Sequence, residues 1–272
     1  MLFLSWGQDS ERKKELVEAA FIERIEVATV NPPDESAGFI EIQNEKILVK
    51  ISPSTGKVWE ARLKEHTYLN NKDSLGVRLF GFDDAGFKFY LNSGFAGNDH
   101  VFTVVEAGVD YVELLSLDGL ISKTITLKEG DYELLIKDRF VGSASGETLT
   151  PYIAMYRTEG KPLDARTGFF ENSSYTGVAF NTPDDPYIHF RFQGIDERKE
   201  FVQKGGWVAF IQKYFMAAIL TPSDREQTLT VIPPKESGGV FVMAAMSKEA
   251  QDFDLRSGVE HRCFLDQSSA PT

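Results

Sequence analysis

Lys204-Gly205-Gly206-Trp207-Val208-Ala209-Phe210-Ile211-Gln212-Lys213-Tyr214-Phe215-Met216-Ala217-Ala218-Ile219-Leu220-Thr221-Pro222 is the stretch on which the reading of this chain turns. Two apolar arms flank a short polar break at Gln212-Lys213, the pattern of a buried β-hairpin closed by a tight turn. Gly205 and Gly206 let the backbone swing into the first arm. Pro222 ends the second, because proline cannot donate to a strand ladder. The stretch holds no nucleophile, metal ligand or phosphate loop. Trp207, Tyr214 and Phe215 are expected to pack in the core rather than to form a ligand platform, since aromatic side chains dominate core burial.

Strand signals recur on both sides of this hairpin. Phe39 to Gln43 and Lys46 to Ser52 flank Asn44-Glu45, and Val77 to Phe82 and Phe87 to Leu91 flank Asp83-Asp84-Ala85-Gly86. Val101 to Glu106, Tyr111 to Leu117, Ile121 to Leu127, Tyr132 to Val141 and Thr148 to Thr158 read as further strands. Ile188 to Gln193, Thr228 to Ile232 and Val240 to Met246 complete the series. Nearly every break holds Gly, Asp, Asn or Pro, the turn chemistry that hairpins require. Helical signals are confined to the ends: the charged stretch Asp9 to Ala20 reads as a solvated linker or a loose helix that Ser10 is placed to cap, and Lys248 to Arg256 carries a 3.6-residue period. No repeat of solenoid or propeller length is present. The predicted fold class is all-β, two large packed antiparallel sheets with short helical termini.

A chain of 272 residues buries about 75% of the surface its unfolded form exposes, so it needs neither disulfide nor metal to stay folded. Phe is abundant at 21 residues, which favours strands. The net charge of -12 argues against nucleic acid and against an anionic lipid surface as partners of the domain body. Cys263 is the only cysteine, which excludes an intrachain disulfide and a CxxC metal site. Met1 to Trp6 is too short to cross a bilayer, which takes about 20 residues. It reads either as a frayed start or as the last turn of a transmembrane helix with Trp6 at the interface.

Candidate chemistry is sparse. No GxSxG, HExxH, Walker A or GxGxxG motif occurs. His66, His100, His189 and His261 are the histidines, and each is read as structural, His189 facing solvent or pairing across the sheet and His100 serving a turn. Asp83-Asp84 and Asp184-Asp185 sit beside turn residues, where capping outweighs acid–base work, because neighbouring strand residues point to opposite faces. Phe169-Phe170, in a polar loop, is the one candidate binding feature. The pair either covers the sandwich edge or forms an exposed contact patch. No metal, cofactor or catalytic residue is assigned.

Three motifs carry a family resemblance. The stretch from Gly205-Gly206-Trp207 through Tyr214 to Pro222 is joined by Lys123 to Tyr132 with its Gly130-Asp131-Tyr132 turn. The third is Ser174 to Asp184 with Thr182-Pro183-Asp184, followed by Tyr187 and Phe192. In order and spacing they resemble the large periplasmic domain of YidC-type (YidC/Oxa/Alb) membrane protein insertases, over roughly Ile25 to Asp252. The resemblance implies a β super-sandwich of the galactose-mutarotase-like kind. It implies a division into residues 1–24 as the end of a transmembrane helix and linker, 25–252 as the periplasmic domain, and 253–272 as a divergent tail. It also implies a bacterial inner-membrane protein with this domain in the periplasm, acting as scaffold or docking surface for Sec translocon subunits and nascent inner-membrane proteins, and not as an enzyme. The rival of the same fold is a carbohydrate-binding or aldose-epimerase-like periplasmic protein, which needs aromatic platforms and charged groups converging on one concave face.

Overall fold

The structure, a computed structural model, describes residues 38–66, 76–84, 86–95, 100–141, 148–159, 176–182, 185–212, 215–237, 239–247, 251–252 and 258–267. Of these, 148–149, 251–252 and 258–267 are described as backbone. Phe169, Phe170, Pro183, Asp184, Tyr214 and the expected helix and membrane stub before residue 25 lie outside the described residues.

In chain order the strands are β1 (Ile40–Gln43), β2 (Ile47–Ile51), β3 (Val58–Leu63), β4 (Val77–Phe82), β5 (Lys88–Phe95), β6 (Phe102–Ala107) and β7 (Tyr111–Ser116). They continue with β8 (Ile121–Leu127), β9 (Glu133–Phe140), β10 (Thr148–Leu149), β11 (Pro151–Arg157), β12 (Thr176–Asn181) and β13 (Ile188–Arg191). The rest are β14 (Lys199–Lys204), β15 (Trp207–Gln212), β16 (Phe215–Leu220), β17 (Glu226–Ile232), β18 (Phe241–Ser247), β19 (Gln251–Asp252) and β20 (Gly258–Gln267). The only other regular element among the described residues is a 3-10 turn at Phe192–Gly194.

The first sheet runs β1-β2-β3-β4-β5-β11-β18-β17-β14 and the second β13-β12-β15-β16-β20-β9-β8-β7-β6, with β10 and β19 as a small separate pair. Every pairing is antiparallel. The two arms of the opening stretch pair from Trp207 with Leu220 to Gln212 with Phe215.

The sheets pack face to face because their strands alternate. β2 and β8 bury every second side chain, which puts Ile47, Val49 and Ile51 against Ile121, Ile125 and Leu127 in one core cluster. Two strands at the middle of the first sheet are buried on both faces. Ile153 and Met155 of β11 and Met243 and Ala245 of β18 enter the inter-sheet core. Tyr152, Ala154 and Tyr156 with Val242, Ala244 and Met246 cover the outer face. Trp59, Tyr90 and Tyr156 stack in series on that outer face, with centroids 4.5 and 4.6 Å apart.

The structure corrects several expectations. Trp207 is not in the core: in an arm buried on both faces, alternate residues go to opposite sides. Val208 and Phe210 point between the sheets, whereas Trp207 lies half-buried with Ala209 and Ile211 on the outer face. Within the expected tail, Gly258–Gln267 is a strand, β20, which lies between β16 and β9 at the middle of the second sheet. Gln251 and Asp252, placed in the expected C-terminal helix, are strand and pair with Leu149 and Thr148. β3 and β14, absent from the sequence reading, are six-residue strands.

A buried charged cluster crosses the core. The alternation of β8 turns Lys123 inward, and that of β9 does the same for its register partner Asp138. Lys123 Nζ lies 2.6 Å from Asp138 Oδ1, with the two side chains 1% and 0% exposed. Lys123 also donates to the Ser93 carbonyl at 2.9 Å and to Ser93 Oγ at 2.6 Å, and Ser93 Oγ donates to Asp138 Oδ2 at 2.6 Å. Ser93 belongs to β5 of the opposite sheet, so the contact bridges the sandwich. Gly56, at φ +65°, leaves room for the lysine stem: a Cβ there would meet Lys123 Cδ at 2.7 Å.

Removing one partner strands a buried charge, so Lys123→Met or Asp138→Leu alone is expected to cost about 3–5 kcal/mol. The combination Lys123→Met, Asp138→Leu and Ser93→Ala is expected to be more stable than either single variant. Denaturant melts of the series check this. Additive losses would mean that the three groups do not act as one bridge.

Candidate functional site

The recurring motifs of the sequence turn out to be joints. Gly205 and Gly206, at φ +70° and +88°, carry the chain from β14 in the first sheet to β15 in the second. A Cβ on Gly206 would strike the Asn181 carbonyl at 2.4 Å. The return crossing after β16 runs beside it: the Gly205 amide donates to the Pro222 carbonyl at 2.9 Å and the Thr221 amide to the Gly206 carbonyl at 3.0 Å. Gln203 ties in the neighbouring turn, its Nε2 donating to the carbonyls of Asn181 and Gly205 at 2.9 and 2.8 Å.

Gly130-Asp131-Tyr132 joins the sheets at another end. Gly130, at φ +67°, turns the β8–β9 hairpin. Asn44, in the β1–β2 turn of the opposite sheet, donates through Nδ2 to the Lys128 and Asp131 carbonyls at 2.8 and 2.9 Å. Its Oδ1 accepts the amides of Lys46 and Ile47, so one side chain both closes its own turn and clasps the facing one. The Tyr132 hydroxyl donates to Glu65 at 3.2 Å, and Lys46 Nζ lies 4.7 Å from its ring centre. Thr182 and Asp185 shape the β12–β13 turn: the Asp185 amide donates to Thr182 Oγ1 at 3.0 Å, and the Tyr187 amide to Asp185 Oδ1 at 3.1 Å.

His100, Asp118 and Ser116 have the composition of an acyl-transfer triad but not its wiring. A triad needs the hydroxyl on the imidazole. Here Ser116 Oγ donates to Asp118 Oδ1 at 2.5 Å and accepts the amides of Leu120 and Ile121 at 3.1 and 2.8 Å. His100 Nδ1 meets the other carboxylate oxygen at 3.1 Å. The cluster locks the β7–β8 turn. His189 is exposed on β13 beside Tyr187, with ring centres 5.2 Å apart, and His66 packs by Phe215 at 5.9 Å. The three histidines thus have separate neighbours and do not converge. Among the described residues no group of three or more His, Cys, Asp or Glu side chains is arranged to hold a metal ion.

Arg157 was not singled out in the sequence. It is fully buried between the sheets, where Nη2 donates to Gln212 at 2.7 Å and the guanidinium lies 4.9 to 5.6 Å from the ring centres of Phe192, Phe87 and Phe89. Its signal was parity: Ile153, Met155 and Arg157 share one face of β11. The aromatic series Trp59, Tyr90 and Tyr156 has the spacing of a stacking platform but is itself buried. Burial pushes the Tyr90 hydroxyl's pKa well above the ordinary phenol range, with Tyr156 adding to the shift. What does face solvent is β6, where every side chain after Phe102 is exposed.

The chain belongs to the YidC periplasmic domain family, whose model matches residues 39–261. Three relatives are each named membrane protein insertase YidC. That of Pseudoalteromonas translucida (strain TAC 125) is 25% identical over 74% of this chain and 40% of its own length. That of Methylococcus capsulatus is 26% identical over 84% and 44%, and that of Aromatoleum aromaticum 28% over 68% and 37%. The chain therefore spans less than half the length of these relatives, and they are named for insertion, not for a chemical conversion. A galactose mutarotase-like protein from Lactobacillus casei ATCC 334 superposes with a TM-score of 0.47 at 12% identity, over 85% of this chain and 100% of that one.

The Asp118 carboxyl is held below its usual range, first by the Ser116 hydroxyl, then by the Leu120 amide, and also by His100. Its folded value is the lower one. The stability it lends is therefore fully present above the unfolded carboxylate value of about 3.9 and is lost as pH falls through the folded range. Asp118→Asn is expected to be less stable than the native chain at pH 7, with the gap closing below about pH 4. Urea melts at both pH values check this, and a gap that stays constant would assign the loss to something other than the charge.

Proposed function

We propose that this domain is the periplasmic accessory part of a membrane protein insertase, a rigid scaffold that offers a docking surface to Sec translocon subunits and to inner-membrane proteins on their way into the bilayer. The family match over residues 39–261 carries this reading. Insertion needs a polar path within the bilayer, where only helices and closed barrels satisfy their backbones. Both sheets described here are open, and no helix among the described residues is long and apolar enough to cross a membrane. The work within the bilayer thus falls to other parts of such a protein. A domain of net charge -12 is repelled by anionic headgroups, which suits a body standing off the membrane surface.

In cells depleted of their insertase, this chain alone is expected not to restore growth, whereas its fusion to the transmembrane core of a relative is expected to do so. In that fusion, photo-crosslinkers on the domain surface are expected to capture translocon subunits or nascent membrane proteins. Rescue by the chain alone would overturn the accessory role, and a fusion that restores growth with no captured partner would overturn docking. Acceleration of galactose mutarotation, abolished by His100→Ala or His189→Ala, would favour the sugar-processing alternative instead.

A further inference from the structure

The two sheets end in four edge strands, and an edge is a row of unpaired amides and carbonyls that natural sequences shield with charge, proline or shortness. β1 and β13 are four residues long. β14 is six residues long and reads Lys-Glu-Phe-Val-Gln-Lys, with charges at both ends. β6 is as long but reads Phe-Thr-Val-Val-Glu-Ala, with Glu106 as its only charge. Six residues of strand offer about 20 Å of edge. Beyond β6 no further strand of the second sheet follows among the described residues.

The apolar surface extends past both ends of this strand. Val105 is 56% exposed, Val101 55%, Val109 72% and Leu117 71%, with Val104 contributing from the middle. A register shift between Val104 and Glu106 leaves Val105 as an extra residue opposite β7. Among the described residues, that bulge and the Glu106 charge are what shields the edge. The Phe102 amide is already taken by the Ser54 carbonyl at 2.8 Å, so the open part begins after Phe102.

The charges say what fits. From Val101 to Ser122 the sequence holds Glu106, Asp110, Glu113 and Asp118 and neither Lys nor Arg. Asp118 is engaged by His100, which leaves the acidic excess at the β6–β7 turn. Glu106 lies directly across from Glu113, and like charges in that position repel. The Tyr111 hydroxyl donates to Glu106 at 2.6 Å. Lys128, beyond the Leu127 amide that bonds the Asp110 carbonyl, is engaged by Asp131 and Glu133 at 2.9 and 3.1 Å. Two copies of a chain of net charge -12 repel each other, whereas a basic segment is attracted.

We infer that β6 is a strand-addition site for an extended, unfolded polypeptide segment with aliphatic side chains on alternate residues and Lys or Arg at the end that meets the β6–β7 turn. In this mode main-chain hydrogen bonds give affinity and alternate side chains give selectivity. Apolar spans bordered by Lys and Arg are also the composition of membrane-protein segments. The inference rests on the docking role proposed above and assigns it a surface and a chemistry.

The test uses the 272-residue chain and fluorescence anisotropy with labelled peptides of alternating Val and Thr, ended by either two Lys or two Glu. The Lys peptide is expected to bind more tightly by about two- to fivefold, and the difference is expected to shrink with added salt. Val104→Pro, which removes an amide on the open side of β6, is expected to weaken binding about tenfold. Val202→Pro on β14 is expected to leave binding unchanged. Glu106→Lys keeps the backbone and is expected to reverse the preference between the peptides, so the inference stays testable if the proline variant unfolds. Unaltered binding by both β6 variants, or no binding by the native chain, would overturn it. So would self-association of the native chain that Val104→Pro abolishes, since the occupant would then be a second copy. Photo-crosslinks between nascent segments and another face of the domain would discard this edge while leaving the docking role in place.

Discussion

The contact among Lys123, Asp138 and Ser93 is the constraint around which the sandwich is organised. Two nine-stranded sheets bury a broad apolar layer between them, but hydrophobic burial has no direction and does not by itself fix how far one sheet slides over the other. A buried ion pair with a hydroxyl partner has one acceptable geometry, and misplacing any member leaves a charge uncompensated. Lys123 and Asp138 face each other in one sheet, and Ser93 meets them from the other, so the register of the sheets is written into a single polar point. Arg157, buried among three phenylalanines and bound to Gln212 across the gap, is a second such point.

The rim repeats this logic with neutral groups. Asn44 clasps the turn that contains Gly130 and Asp131, and the paired crossings at Gly205-Gly206 and Thr221-Pro222 are bonded to each other. The described residues of the motifs that carry the family resemblance therefore hold the two sheets in one relation. A domain fastened in this way presents a fixed outer surface, which suits a scaffold.

The sequence showed the fold class through its turns. Asn44-Glu45, Gly130-Asp131 and the apolar arms around Gln212 each announced a hairpin, because glycine and Asx chemistry leaves a local mark. The elements it hid are those defined by their neighbours. β14, with charges at both ends, is a strand because β17 pairs with it, and β20 is one because β16 and β9 flank it. Trp207 was misplaced since a continuous apolar run does not say which face meets the core. Lys123 was legible in hindsight: Ile-Ser-Lys-Thr-Ile-Thr-Leu alternates strictly and puts a lysine at an inward position. The candidate pair Phe169-Phe170 lies outside the described residues, and β6 was read only as a strand, since edge position belongs to the topology.

The placement of β20 has a consequence in time. It pairs with β9, more than a hundred residues earlier in the chain, and with β16 on its other side. A chain that emerges amino end first can build β6 to β9 as one half of the second sheet, and β12, β13, β15 and β16 as the other. Neither half has its inner edge covered until Gly258–Gln267 arrives. The strand Gly258–Gln267 is thus a keystone, and the second sheet stays in two halves until that strand has been delivered.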